Sequence, residues 1–303
     1  MSFDREGACR AFLRAANGLG ARRAEQIWAL SCTAGRLLHL GRAQRWNSAG
    51  DERVMLLAPH PDDELACAGT LIRHHVAGDQ VRIVTATDGR LSGAYGFDPL
   101  SMAERRREEA DAAAAHLGAE LRWLGFPEGS WQSDDACAAI GRALAEMAPT
   151  ILYAPSLVDY HAEHQHVARV LAAILRGTPS VEVRVYGIQV PLTPLLTNVV
   201  HDVSDLTQPM RAAYAAYATQ RQATASTMRL KHYAARLYGA GTLAEAFCVM
   251  PGGLYVDLQA RSPVKFRATR PRAWSDPWAA LAGWRERLAW RSALRARGGL
   301  PVP

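Results

Sequence analysis

Cysteine is scarce in this chain of 303 residues, and long apolar runs are absent. The five cysteines (Cys9, Cys32, Cys67, Cys137 and Cys248) are odd in number and scattered, with no CxxC pair. Such usage argues against a disulfide framework and predicts reduced thiols that mostly serve packing. No apolar stretch reaches the roughly 18 residues needed to cross a bilayer. The opening MSFDREGACR carries acids where a secretory leader would be apolar. The expected location is therefore cytoplasmic. Internal repeats are missing, and the only compositional bias is richness in alanine. Global disorder is excluded by a hydrophobic fraction of 49%, which supplies a sizeable core.

Acidic charge is thin at both ends. The formal net charge is +6, yet residues 1–50 carry +5 and residues 261–303 carry +8, leaving −7 for residues 51–260. A basic surface can signal nucleic acid, but no zinc-finger or nucleotide-reading motif accompanies these arginines, so nucleic acid is not an expected partner. The basic ends read as appendages to an acidic middle. Four of the eight tryptophans fall between residues 274 and 290, on a helical pattern spanning about 277–297. Trp278, Leu281, Trp284 and Leu288 lie at helical spacing, with arginines alongside. Docking of this stripe onto the domain is the simpler reading. Peripheral contact with a membrane or a protein is the sharper one.

What the middle does contain is alternation. Short β-rich runs at Val54–Ala58, Val81–Thr87, Leu121–Leu124, Ile151–Ala154 and Val181–Tyr186 are separated by helical windows at about 64–77, 101–117, 135–147 and 162–176. This order predicts an α/β fold with a mainly parallel sheet flanked by helices. Gly78, Gly118 and Gly177 stand where left-handed helix caps are expected. Residues 205–240 read as helical, and 251–276 as a linker or wrapping segment. The division that follows is a helical N-terminal extension over 1–50, a central domain over 51–250, and a linker plus basic helix over 251–303.

Two segments carry chemistry. Pro59-His60-Pro61-Asp62-Asp63-Glu64 follows the first of these strands, and His161-Ala162-Glu163-His164 follows the fourth. In open α/β sheets ligands bind beyond the carboxyl ends of the strands, so both segments open into one crevice if those two strands are neighbours. His60, Asp63 and His164 then supply two imidazoles and one carboxylate, a donor set suited to catalytic Zn2+. Fe2+ takes the same set. Asp62 is left to move a proton, and His161 to donate a hydrogen bond to an oxyanion. The duller alternative is that Asp62-Asp63-Glu64 caps a helix and fills its acidic first turn.

These motifs resemble those of the PIG-L/LmbE-like family of zinc-dependent N-acetyl-sugar deacetylases. Pro59 to Glu64 is similar to its [AP]-H-P-D-D-E motif, and His161 to His164 to its H-x-x-H. Weaker likenesses lie in Thr87-Asp88-Gly89, Arg106 with Glu109 and Leu117-Gly118, Leu124 to Gly129, Asp202 to Asp205, Thr219-Gln220 and Glu245-Ala246-Phe247. The chain departs from the family pattern in having Arg90 where the second turn has Glu, and Ala162-Glu163 between the two histidines. The resemblance implies a Rossmann-like fold and a Zn2+ site of His60, Asp63 and His164. It further implies Asp62 as general base, His161 as the group stabilising the tetrahedral intermediate, and Arg106 as a residue shaping the substrate site. The implied activity is hydrolysis of an N-acetyl group from an N-acetylglucosamine-type residue of a larger conjugate. A non-catalytic sugar- or partner-binding module on the same scaffold, and a metal hydrolase of another amide or an ester, are the competing readings.

Overall fold

The computed structural model describes residues 30, 33–34, 43–46, 50–156, 158–159, 161–178, 180–188, 192, 195–261 and 284–297. The strands are β1 (Gln44–Arg45), β2 (Arg53–Ala58), β3 (Gln80–Thr87), β4 (Glu120–Phe126), β5 (Ile151–Pro155), β6 (Glu182–Tyr186), β7 (Val199–Asp202) and β8 (Ala244–Pro251). They form one sheet in the order β1-β7-β8-β6-β5-β2-β3-β4. Neighbours from β6 to β4 are all parallel, whereas β8 runs antiparallel to both β6 and β7. The helices are α1 (Ala68–Val76), α2 (Pro99–Leu117), α3 (Ser133–Met147), α4 (Ala162–Leu175), α5 (Thr207–Ala216), α6 (Arg221–Tyr238), α7 (Gly252–Arg261) and α8 (Trp284–Ala296). This is the expected α/β architecture. Among the described residues no helix is long and apolar enough to cross a membrane.

Burial on both faces explains the unbroken apolar run of β2. Met55 and Leu57 point into a core formed with α3, α4, α7 and α8, while Val54, Leu56 and Ala58 point into a core formed with α1, α2 and α5. Each face is thus sealed by helices, and only the strand ends are free to bind anything. Chain order reverses between β2 and β5, which pair directly through Val54 with Ile151 and Leu56 with Tyr153. The crevice beyond that pair is the topological switch point, where ligands of such sheets bind.

Three expectations change. Residues 252–261 form helix α7 rather than a linker, with Leu254, Tyr255 and Leu258 buried in the core. The Pro251-Gly252-Gly253 run suggests a break, but burial of that apolar face offsets the poor helix propensity of two glycines. The apolar face of α8 is Trp290 and Leu294, both buried, while Leu288 is 37% exposed. Trp278 and Leu281 lie outside the described residues, as do Cys9 and Cys32. Finally, Gly78 and Gly118 adopt positive φ at their helix ends, but Gly177 does not, and α4 ends on right-handed Arg176.

Candidate active site

Chain leaving β2 at Ala58 and chain leaving β5 at Pro155 turn into the same crevice. His60, Asp63 and His164 meet there, all buried. His60 Nδ1 lies 3.1 Å from His164 Nε2 and 3.3 Å from Asp63 Oδ2, and His164 Nε2 lies 3.2 Å from that oxygen. Three ligand atoms thus form a nearly equilateral triangle. Atoms held about 2.0–2.1 Å from a tetrahedral Zn2+ would stand about 3.3–3.4 Å apart, so the triangle is close to the size such an ion requires. Two imidazole nitrogens facing each other at 3.1 Å, with one carboxylate oxygen between them, also make a poor hydrogen-bond set but a good cation site.

The outer ring nitrogens support the same reading. His60 Nε2 is 3.2 Å from Glu128 Oε1, and His164 Nδ1 is 3.1 Å from Asp159 Oδ2. Both contacts are at ion-pair distance but out of line for a hydrogen bond. A carboxylate behind each histidine is the arrangement that turns the opposite nitrogen toward a metal. The charge balance follows. Burial opposes a charged ring at His164, but Asp63 and Asp159 on its two sides outweigh it and draw positive charge there. Burial likewise opposes ionisation of Asp63, yet the His164 and His60 rings hold its carboxyl far below the usual range. Such a cluster suits a cation.

Asp62 faces the same cavity but is engaged differently. Its backbone is left-handed at φ 97°, an uncommon conformation for a non-glycine residue, and its side chain makes no capping bond to the short turn of helix that follows. The capping half of the duller alternative therefore fails, while Asp63 and Glu64 do stand in the first turn of that short helix. The carboxylate that caps α1 is Glu245 from β8, which accepts the N–H groups of Gly69 and Thr70 at 2.9 and 2.8 Å. Buried Lys231 balances that charge by pairing with Glu245. Glu64 stabilises the Asp62 turn by accepting the Asp62 N–H at 3.1 Å and the Tyr217 hydroxyl at 2.5 Å. Burial pushes the Asp62 carboxyl up to about 7, against the pull of Arg106 and with the push of Asp63.

Arg106 is the tie that holds this turn. It is 4% exposed on α2, whereas Arg105 and Arg107 face solvent. Its guanidinium donates to Asp62 Oδ1 at 2.7 Å, to the Pro61 carbonyl, and to the Gly89 carbonyl at 3.2 Å. Gly89, at φ +66°, lets the guanidinium approach. A Cβ there would stand 2.3 Å from Arg106 Nη1. One helical turn further on, Glu109 accepts both the N–H and the hydroxyl of Thr219, which fixes the opposite wall of the cavity.

His161 is the residue before α4, and its Nδ1 accepts the Glu163 N–H at 3.3 Å. Burial drops its pKa to about 3, so the ring is neutral and its proton sits on Nε2, as a donor. Its ring meets His60 edge-on at 4.6 Å, and ligand atoms of His60, His161 and His164 all lie within 4.8 Å of one another. His60, Asp62, Asp63, Arg106, His161 and His164 thus line a single cavity of about 580 Å³. That volume suits a small-molecule ligand. Of the aromatics near the crevice, Trp131 is taken up by packing. Its Nε1 donates to Glu163 at 2.5 Å and its ring stacks on His166. Tyr95 lines the cavity and is exposed. Tyr160 lies outside the described residues. Sequence reasoning assigned no role to Glu128, Asp159, Glu64 or Tyr217. Glu64 and Glu128 sit inside quoted motif segments, and Asp159 two residues before His161.

Residues 55–175, which carry every proposed ligand, match the PIG-L family, described as GlcNAc-PI de-N-acetylase. Over that stretch the chain fits the PIG-L/LmbE-like family. A relative within reach is the 1D-myo-inositol 2-acetamido-2-deoxy-alpha-D-glucopyranoside deacetylase of Mycolicibacterium vanbaalenii, 28% identical over 157 residues. That match covers 42% of this chain and spans about half, 55%, of the relative. Among solved structures, the N,N'-diacetylchitobiose deacetylase of Pyrococcus horikoshii aligns with a TM-score of 0.57 at 18% identity, over 68% of this chain and 86% of its own. The 4-carboxy-2-hydroxymuconate hydratase of Pseudomonas putida aligns with a TM-score of 0.54 at 19% identity, over 65% of this chain and 95% of its own. At those identities the two structures establish a shared fold alone, and a deacetylase and a hydratase both stand on it.

Proposed function

We propose that this protein is a metal-dependent hydrolase that removes the acetyl group from an N-acetylated amino sugar, an N-acetylglucosamine-type residue of a larger conjugate. The observation that carries the proposal is the buried triangle of His60 Nδ1, Asp63 Oδ2 and His164 Nε2, with Asp62 beside it and uncommitted to any ligand role. The PIG-L match over residues 55–175, and the sugar deacetylase among the similar proteins, support the choice of substrate.

His60, Asp63 and His164 would hold the metal, with Glu128 and Asp159 orienting the two rings. Zn2+ suits the donor set, and Fe2+ shares it. Such an ion supplies Lewis acidity that polarises a carbonyl and makes water a better acid. Asp62 takes a proton from the attacking water as its oxygen adds to the acetyl carbonyl carbon. A pKa near neutrality fits that task, because the group must be able both to accept and to return a proton. The neutral His161 ring directs its Nε2 proton to the oxyanion of the tetrahedral intermediate. Asp62 then returns its proton to the sugar nitrogen, the C–N bond breaks, and acetate and the free amine leave. Arg106 acts through Asp62. It fixes the turn and the carboxylate, and shapes the cavity wall in doing so.

A binding module has no use for a buried carboxylate that stands outside the ligand triangle, tied only to Arg106 and held at positive φ beside it, and this disfavours the non-catalytic reading. The test is metal analysis of the purified protein together with acetate release from N-acetylglucosamine glycosides. The proposal predicts about one metal per chain and acetate release that a chelator abolishes and added Zn2+ or Fe2+ restores. Metal-free protein that remains fully active, or metal-loaded protein that releases no acetate from any such glycoside, would overturn it.

A further inference from the structure

The mouth of the cavity is unusually apolar on one side. Seven large hydrophobic side chains are exposed among the described residues, and four of them fall within ten positions: Leu91, Tyr95, Phe97 and Leu100, at 61, 67, 48 and 65%. Leu91 and Tyr95 line the cavity itself, and the Phe97 ring lies 6.3 Å from that of Tyr95. Singly scattered apolar residues are normal on a surface, but a cluster continuous with a binding cavity marks a place that something apolar covers.

The exposure is not that of a loose end. The loop is tied down at three points across the cavity. Tyr95 Oη donates to the Ala218 carbonyl at 3.1 Å, Gln220 Nε2 donates to Ser92 Oγ at 2.9 Å, and the Leu91 N–H donates to Glu128 Oε2 at 3.0 Å. Tyr95 is held at φ 57°, an uncommon conformation for a non-glycine residue, and its side chain stays exposed although its hydroxyl is bonded. The same carboxylate that faces His60 therefore also anchors the apolar rim. Polar Thr219, Gln220 and Arg221 form the facing wall. The mouth is amphipathic, with one apolar and one polar side.

We infer that the rim formed by Leu91, Tyr95 and Phe97 binds an apolar aglycone, so that the substrates of this site are amino sugars linked to an alkyl, acyl-bearing or aromatic group. The inference rests on the deacetylase reading for the position of the sugar. With the acetamide at the metal triangle, whatever the sugar is attached to must leave through this mouth. A membrane or a protein would have to reach a rim that turns into a cavity, whereas an aglycone is carried there by the sugar.

The test compares methyl and hexyl glycosides of N-acetylglucosamine. Binding is measured by calorimetry on metal-loaded Asp62→Asn protein, and kcat/KM by acetate release with the unmodified chain. The hexyl glycoside is expected to bind at least tenfold more tightly, and to show the same preference in kcat/KM. In a Leu91→Ser/Phe97→Ser double variant the hexyl-to-methyl ratio should fall below about threefold, and because it is a ratio it is insensitive to partial misfolding. Equal binding of the two glycosides, no binding of either, or a preference that survives the double substitution would overturn the inference. Acetate released from both at a ratio of one leaves the deacetylase reading standing without the aglycone. Rim-dependent hexyl binding without acetate release does the reverse.

Discussion

Replacing Gly89 by Ala tests how the site is held together, because the substitution touches neither metal ligand nor proposed base. At φ +66° an alanine costs about 1–2 kcal/mol from backbone strain alone. The added methyl would also stand 2.3 Å from Arg106 Nη1 and 2.6 Å from Cζ, so the guanidinium must move. Arg106 is buried, and a hydrogen bond made by a charged group contributes about 1.5–3 kcal/mol. Losing the bond to the Gly89 carbonyl and loosening the one to Asp62 Oδ1 should lower kcat by about ten- to a hundredfold, at about 1.4 kcal/mol per decade. The sign of the pH effect is fixed as well. Arg106 pulls the Asp62 pKa down, so displacing it raises that pKa, and the acid limb of the kcat/KM profile should move to higher pH. The assay is acetate release across pH, with metal content measured in parallel and expected to be unchanged. Gly89→Ala protein with unaltered kcat and an unmoved acid limb would refute the chain of contacts from Gly89 through Arg106 to Asp62.

Glu128→Gln should weaken metal affinity by about 10–100-fold in a chelator competition, as for other residues that orient a ligating histidine; unchanged affinity would remove Glu128 from behind His60. His161→Ala should lower kcat by about 10²–10³ with metal content intact, the usual cost of losing an oxyanion donor; a kcat near that of the parent would assign the ring another role. Trp290→Ala should destabilise the protein by about 3–5 kcal/mol in urea denaturation. Trp290 is 4% exposed in the core beside α3, α4 and α7, and a loss below about 1 kcal/mol would mean that α8 is dispensable to the fold.

The sequence was most legible where local pattern and function coincide. The buried run Val54–Ala58 leads straight into the hexapeptide, and the β5 run leads into His161 and His164, so the pairing of β2 with β5 was enough to bring the two segments together. The five parallel strands were readable for the same reason, each being a short β-rich run between helical windows. Less legible was everything that depends on distant pairing. Strands β7 and β8 gain their identity from contacts with each other and with β6. Glu128 sits beyond β4 and meets His60 only because β4, β3 and β2 lie side by side. The Glu64–Tyr217 and Glu109–Thr219 bonds span 153 and 110 residues. Nothing in local spacing encodes such pairs. Glu245 carries the same lesson: noted in the sequence only as part of a weaker motif likeness, it caps α1 across 175 residues.

The central claim is that the two neighbouring aspartates do different work, Asp63 holding the metal and Asp62 moving the proton. The most direct measurement is acetate release by Asp62→Asn protein at metal content matched to the parent. The account predicts a full metal complement in both and a fall in kcat of at least about 10²-fold in the variant, the scale of general acid–base catalysis. Loss of metal from Asp62→Asn, or turnover equal to the parent at matched metal, would contradict it.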